Sequence, residues 1–120
     1  MKKEIVDKMQ TLDTKTIIIN LLKEDKKEYL SFKRLQKLLV YIYNELIKIQ
    51  KIDRYNTCFD VNFDAIERTV LYNNNLFLLD IDGEMIYLRK PELTESLAEQ
   101  YKTDDIIKKI IVEFVNSTAA

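Results

Sequence analysis

The sequence predicts a single domain over residues 1–120 with an α+β fold that is mainly α. Apolar residues make up 47% of the chain and charged residues 32%, which supplies one compact core and excludes intrinsic disorder. Apolar residues recur at helical spacing along most of the length. One segment, residues 76–89, instead consists of two apolar-rich runs on either side of an Asp-Gly pair, a pattern typical of a β-hairpin.

Two helices are predicted near the start of the chain. Apolar residues at i, i+4 and i+7 indicate a short amphipathic helix over residues 4–12. Asp13 or Thr14 is a favourable N-cap for the next helix, and Tyr29 with Leu30 forms a short extended link after it. The inner stripe of that second helix consists of Ile17, Ile18, Leu21 and Leu22.

The most regular element is a helix over residues 32–49, which Ser31 is well suited to cap. Tyr41 and Tyr43 lie beside its apolar seam, and we expect one or the other to face outward, where it would anchor a protein interface. Because the apolar arc is wider than one seam needs, the helix is expected to be central and packed on two sides. The seam consists of residues spaced three and four apart: Phe32, Leu35, Leu39, Ile42, Leu46 and Ile49.

The middle of the chain is predicted to hold a loop and a short helix. Residues 53–59 break the helical pattern and are expected to form a loop that contains Cys58. Asn62 is a favourable N-cap for a helix over residues 63–73. That helix runs into three consecutive Asn residues, which form a natural end because Asn tolerates the left-handed conformation.

The hairpin has predicted strands at residues 76–81 and 84–89, joined by Asp82-Gly83. Gly83 is the only glycine of the chain and stands where the turn needs a positive φ. With a two-residue turn, one face of the hairpin is nearly all apolar and suits the core. The facing pairs are Phe77 with Leu88, Leu79 with Ile86, and Ile81 with Glu84.

Two helices are predicted after the hairpin, whose second strand Pro91 closes. Leu93, Leu97 and Tyr101 indicate a short helix. Thr103 is then expected to cap the last helix of the chain.

Residues 16–89 follow the order helix, extended link, helix, helix, hairpin, which resembles that of winged-helix domains. The corresponding segments are residues 17–24 for the first helix, 29–32 for the strand that enters the second, 63–73 for the third, or recognition, helix and 76–89 for the wing. The resemblance implies a winged-helix-like core over residues 14–90, followed by a C-terminal helical extension over residues 92–116. It also implies DNA binding, with the recognition helix in the major groove and the wing on the backbone.

Charge is unevenly distributed along the chain. The formal net charge is −1, yet residues 1–52 carry 12 Lys and Arg against 7 Asp and Glu, whereas residues 53–99 carry 4 against 10. We expect the basic half to attract phosphate or an acidic partner and the acidic middle to repel phosphate. Solvated surface alone also accounts for such stretches.

Two binding hypotheses follow. The first is double-stranded DNA binding by a small regulatory homodimer, paired through the long helix or through the C-terminal helix over residues 104–116. Its contact residues are Lys26, Lys27, Lys33, Arg34, Lys37, Arg68, Tyr72, Arg89 and Lys90. The second hypothesis is a protein-interaction module or homo-oligomeric adaptor, in which Asp64 and Glu67 bind a basic partner and Tyr72 or Tyr87 anchors an interface.

No catalytic, metal or cofactor site is predicted. The chain has no His, and one Cys forms neither an internal disulfide nor a thiolate zinc site. One Gly excludes a Gly-rich phosphate cradle, and the carboxylates of Asp80, Asp82 and Glu84 lack the later ligands of a calcium loop. No apolar run approaches the roughly 18 residues of a membrane span. We therefore expect a non-enzymatic cytoplasmic protein, and its abundant Ile, Lys and Asn are typical of AT-rich bacterial, phage, plasmid or viral genomes.

Overall fold

A computed structural model, which describes residues 10–58, 61–80, 82 and 84–117, confirms the α+β, mainly α fold class. Single-turn 3-10 helices at Ile52–Arg54 and Pro91–Leu93 supplement the longer elements. In chain order these are β1 (Gln10–Asp13), α1 (Thr14–Asp25), β2 (Tyr29–Ser31), α2 (Phe32–Lys48), β3 (Tyr55–Cys58), α3 (Phe63–Tyr72), β4 (Phe77–Leu79), β5 (Met85–Leu88), α4 (Thr94–Gln100) and α5 (Asp105–Ser117).

The core is one continuous cluster of apolar side chains with α1 at its centre. Every α-helix and every strand of the described segments contributes at least one buried residue to it. Five apolar residues of α1 are at most 1% exposed: Ile17, Ile18, Ile19, Leu21 and Leu22. Such a helix is held by tertiary burial, so the β-branched run at its start does not prevent helix formation. Among the described helices, none is long and apolar enough to cross a bilayer.

Side-chain caps fix where the helices begin. The predicted caps of α1, α2 and α3 are confirmed: Asp13 accepts from Thr16 N at 2.8 Å, Ser31 from Arg34 N at 3.0 Å, and Asn62 from Ala65 N at 2.8 Å. The prediction for α5 was wrong, because Asp104 rather than Thr103 is its cap and accepts from Ile107 N at 2.9 Å. Asp is as strong a cap as Thr or stronger, and here its second oxygen has a further partner in β3.

The predicted hairpin is confirmed, and it belongs to a three-stranded antiparallel sheet of order β2-β5-β4. Phe77 pairs with Leu88 and Leu79 with Ile86, as predicted. The extended link before α2 is the third strand of this sheet, since β2 pairs with β5. The predictions for Ile81 and Gly83 concern residues outside the described ranges.

Two predictions near β1 and β3 were wrong. Residues 10–12 are strand rather than helix, and residues 55–58 are strand rather than loop, because β1 and β3 pair in parallel from Gln10 with Tyr55 to Asp13 with Cys58. The pairing buries Leu12 and Tyr55 in the core and satisfies backbone groups of both segments. Residues 4–9, the rest of the predicted first helix, lie outside the described ranges, as does the side chain of Cys58.

Tyr55 links this parallel pair to α5. Its ring is 5% exposed, and its hydroxyl donates to Asp104 Oδ2 at 2.6 Å. Burial is the main cause that raises the pKa of Tyr55 above the ordinary value of about 10, followed by the hydrogen bond to Asp104 and by the charge of that carboxylate. The folded protein therefore holds this proton at a pH where the unfolded chain releases it.

Alkaline destabilisation is the expected consequence. A raised folded pKa contributes stability that is present below about pH 10 and is lost as pH rises further, by up to about 1.4 kcal/mol per pH unit. Urea unfolding between pH 8 and 11 should show this slope in the wild type and a shallower slope in Tyr55→Phe. Tyr41→Phe is the comparison variant for the slope. Burial and the nearby Glu45 and Glu113 also raise the pKa of Tyr41, so this residue contributes to the wild-type slope as well. Equal slopes for wild type and Tyr55→Phe would contradict the prediction.

Candidate functional site

The structure separates the residues predicted to contact nucleic acid. Lys26 and Lys27 lie beside Arg89 and Lys90 at one end of the three-stranded sheet, since Leu88 N donates to Glu28 O at 2.9 Å. All four are exposed. The other exposed members are Lys33 and Lys37 on α2, and Arg68 and Tyr72 on α3. The predicted set is therefore distributed over separate parts of the surface.

Arg34 is committed to the interior. Its Nε donates to Asp25 Oδ2 at 2.8 Å and its Nη2 to Asp25 Oδ1 at 2.7 Å. The guanidinium also lies 5.1 Å from the centre of the Phe114 ring. The side chain of Asp25 is 7% exposed and that of Arg34 23%, so this cluster joins α1, α2 and α5. Arg34 therefore has a structural role rather than the predicted contact with nucleic acid.

The two elements that the winged-helix resemblance places on DNA expose carboxylates. On α3, Asp64 and Glu67 are exposed together with Arg68. At the tip of the wing, Asp82 and Glu84 are exposed. Phosphate neutralisation by cations supplies much of the affinity of DNA-binding proteins, so these acidic groups oppose that docking geometry.

The most distinctive surface is the outward face of α2. Val40, Tyr43 and Ile47, which we call the α2 ridge, are 41%, 44% and 50% exposed. They fall at i, i+3 and i+7 and so lie on one side of the helix. An apolar stripe at this spacing normally faces a core, and exposed apolar patches mark interaction sites more often than isolated apolar residues do.

Lysines flank the α2 ridge. Lys33, Lys37 and Lys48 are exposed on α2, and Lys48 Nζ lies 3.3 Å from Glu45. Gln36, half-buried on this side, donates to Val61 O at 2.5 Å. That hydrogen bond connects α2 to the segment that precedes α3.

The sequence prediction for α2 was thus correct on one side and wrong on the other. Tyr41 packs against α5, with its ring centroid 5.5 Å from that of Phe114, and Tyr43 is the tyrosine that faces outward. The predicted second packed side is the exposed α2 ridge, and Ile49, the last seam position, is 42% exposed beyond the end of the helix. The sequence does carry a signal for this exposed side. Residues 36, 40, 43 and 47 are spaced four, three and four apart, one position after the residues of the buried seam.

A second exposed row crosses the sheet. Tyr29, Tyr87 and Leu78 are cross-strand neighbours and are 45%, 39% and 45% exposed. The two tyrosine rings are 6.0 Å apart, and Lys27 Nζ lies 5.9 Å from the Tyr29 ring centroid. This row adjoins the cationic end of the sheet.

A groove of about 440 Å³ lies between α1, α4 and α5. Its rim carries both signs of charge, with Lys23 and Glu95 4.0 Å apart and Lys102 and Glu99 3.6 Å apart. Across the described segments, no three His, Cys, Asp or Glu side chains are grouped to hold a metal ion.

Comparisons of the chain with models of protein families, with curated proteins and with solved structures found no match. Its function must therefore be argued from its own surfaces.

Proposed function

We propose that this protein is a non-enzymatic, winged-helix-like adaptor that binds another polypeptide through the α2 ridge. The observation that carries the proposal is the exposure of Val40, Tyr43 and Ile47 in one row on the longest helix. Covering three half-exposed side chains of this size contributes on the order of 3 kcal/mol, at roughly half the value for full burial. Tyr43, a residue type enriched among interface anchors, stands in the middle of the row.

A protein partner also fits the surrounding charges. Lys33, Lys37 and Lys48 form a polar rim around an apolar centre, which is the usual anatomy of a protein interface. The acidic tips of α3 and of the wing do not oppose a protein partner as they oppose phosphate.

Site-specific photo-crosslinking tests the proposal. A photoreactive residue in place of Tyr43 is expected to give an adduct with one polypeptide in the cells that encode the protein, whereas the same residue in place of Tyr29 is not. Tyr29 is the matched control because it is 45% exposed against 44% for Tyr43. The adduct should be lost in the double variant Val40→Ser/Ile47→Ser. Adducts of equal yield from both positions, or none from position 43, would refute the proposal.

Nucleic-acid binding is the second candidate function, and one observation favours it. Lys26, Lys27, Arg89 and Lys90 are exposed together at the end of the sheet, next to the Tyr29 and Tyr87 rings. Cations beside exposed aromatic rings suit phosphate and base contacts.

Fluorescence anisotropy with a labelled duplex at ~50 mM salt decides this second candidate, because the electrostatic attraction is strong at low salt. Binding that falls with salt and is lost in Lys26→Glu/Lys27→Glu supports it. The control is Lys108→Glu/Lys109→Glu, which reverses two exposed lysines on α5. No binding by the wild type, or equal loss in both variants, rejects it.

A further inference from the structure

We infer that the occupant of the α2 ridge is α3 of a second copy of this chain. In the resulting symmetric homodimer, each α3 lies on the α2 of the other copy. This inference rests on the proposed function, since it names the polypeptide that the α2 ridge binds.

The outward face of α3 has the composition that the α2 surface requires. Leu71 and Tyr72 are 54% and 87% exposed, and Tyr72 is the most exposed large apolar side chain of the described residues. Asp64, Glu67 and Arg68 are exposed on the same helix, two carboxylates beside one cation. The face of α3 is therefore an apolar patch with mainly acidic neighbours, whereas the α2 ridge is an apolar patch with basic neighbours. The two surfaces are complementary in charge.

The two faces match in length as well as in charge. From Asp64 to Tyr72, α3 spans about 12 Å at 1.5 Å per residue. The α2 ridge spans about 10 Å by the same rise, and Lys33 and Lys37 extend the surface toward the start of α2. The ten-residue α3, about 15 Å long, therefore covers the α2 ridge and reaches Lys37, and Lys33 lies one turn further toward the start of α2.

The charges of the two faces are exposed to solvent within one copy. Among the described residues, no ion pair involves Lys33, Lys37, Asp64 or Glu67. Pairing of two α2 ridges would bring lysines against lysines, and pairing of two α3 faces would bring together two faces on which Asp64 and Glu67 outnumber Arg68. Only the mixed pairing of α2 with α3 sets opposite charges against each other in both contacts.

The position of the two faces allows the dimer to close. Gln36 Nε2 donates to Val61 O, and the Phe32 and Phe63 rings pack edge to face at 5.5 Å, so α3 begins beside the first turns of α2. In a two-fold dimer, contact of one α2 with the other α3 implies the reciprocal contact. Adjacent faces allow both contacts within one two-fold dimer, whereas head-to-tail contacts between distant faces build rings or open polymers.

Charge exchange combined with analytical ultracentrifugation tests the inference. The wild type is expected to sediment at twice its mass of 14.3 kDa and to dissociate as salt is raised. Lys33→Glu/Lys37→Glu and Asp64→Lys/Glu67→Lys should each raise the dimer dissociation constant on the order of tenfold or more, because attraction becomes repulsion in both contacts. An equimolar mixture of the two variants should recover the dimer, since the heterodimer has opposite charges in both contacts. All four residues are exposed, and unchanged circular dichroism will confirm that the variants are folded.

Failure of this inference is distinguishable from failure of the proposed function. A monomeric wild type, or a mixture of variants that stays monomeric, overturns the homodimer. If Tyr43 crosslinks to a different polypeptide in that case, the adaptor function stands without the dimer. If Tyr43 gives no specific adduct, both are rejected.

Discussion

Replacing Asp25 by Ala is expected to lower the free energy of unfolding by about 2 kcal/mol. The change removes the two hydrogen bonds that Arg34 donates to Asp25 beside the contact of its guanidinium with the Phe114 ring. Removing one partner of a buried pair costs about 3–5 kcal/mol, but Arg34 is 23% exposed, and water then solvates part of its charge. Loss of a carboxylate from the end of α1 also gives back about 0.5 kcal/mol through the helix dipole.

Glu24→Ala is the matched control, because Glu24 precedes Asp25 on α1 and takes part in no ion pair among the described residues. It should change stability by less than about 0.5 kcal/mol. Arg34→Lys should cost about 1 kcal/mol, because an ammonium group does not reproduce the two-pronged geometry. Urea unfolding followed by circular dichroism measures each difference. A loss for Asp25→Ala no larger than that for Glu24→Ala would show that the cluster does not stabilise the fold.

Local signals predicted the elements that local interactions determine. The extent of α2, the caps Asp13, Ser31 and Asn62, and the register of the hairpin all follow from residues within a few positions of one another. The pairing of β1 with β3 joins segments that are far apart in the chain. Neither segment is long or strongly alternating, so nothing within either one indicates its partner.

The candidate site was predicted in composition rather than in arrangement. The sequence shows Lys33, Arg34 and Lys37 only as three neighbouring cations. In the structure, Arg34 faces Asp25, whereas Lys33 and Lys37 face solvent. Likewise, apolar spacing alone does not distinguish a face that packs within the chain from one that packs on a partner. The α2 ridge has the spacing of a core face because an apolar stripe of residues three and four apart suits packing within the chain and packing on a partner equally well.

Asp104→Ala is expected to have the largest effect, a loss of about 3 kcal/mol. Its Oδ1 caps α5 through Ile107 N, an interaction that contributes about 1 kcal/mol. Its Oδ2 accepts the hydroxyl of Tyr55, and a hydrogen bond to a charged group contributes about 1.5–3 kcal/mol. Truncation of Asp104 removes the acceptor of the Tyr55 hydroxyl, which is buried because Tyr55 is 5% exposed.

Asp105→Ala separates these contributions from simple helix-dipole effects. Asp105 is exposed in the first turn of α5, so its loss should cost at most about 1 kcal/mol. Asp104→Asn keeps one oxygen for the cap but replaces the oxygen that accepts from Tyr55 by an NH2 group, so it should fall between the two Ala variants. In a double-mutant cycle, Tyr55→Phe and Asp104→Ala should be strongly non-additive, since each removes the same hydrogen bond. Additive losses, or equal losses for Asp104→Ala and Asp105→Ala, would mean that the bond between β3 and α5 does not hold the C-terminal helix on the core. The start of α5, which Asp104 fixes, leads into the helix whose Phe114 packs against Arg34 and Tyr41.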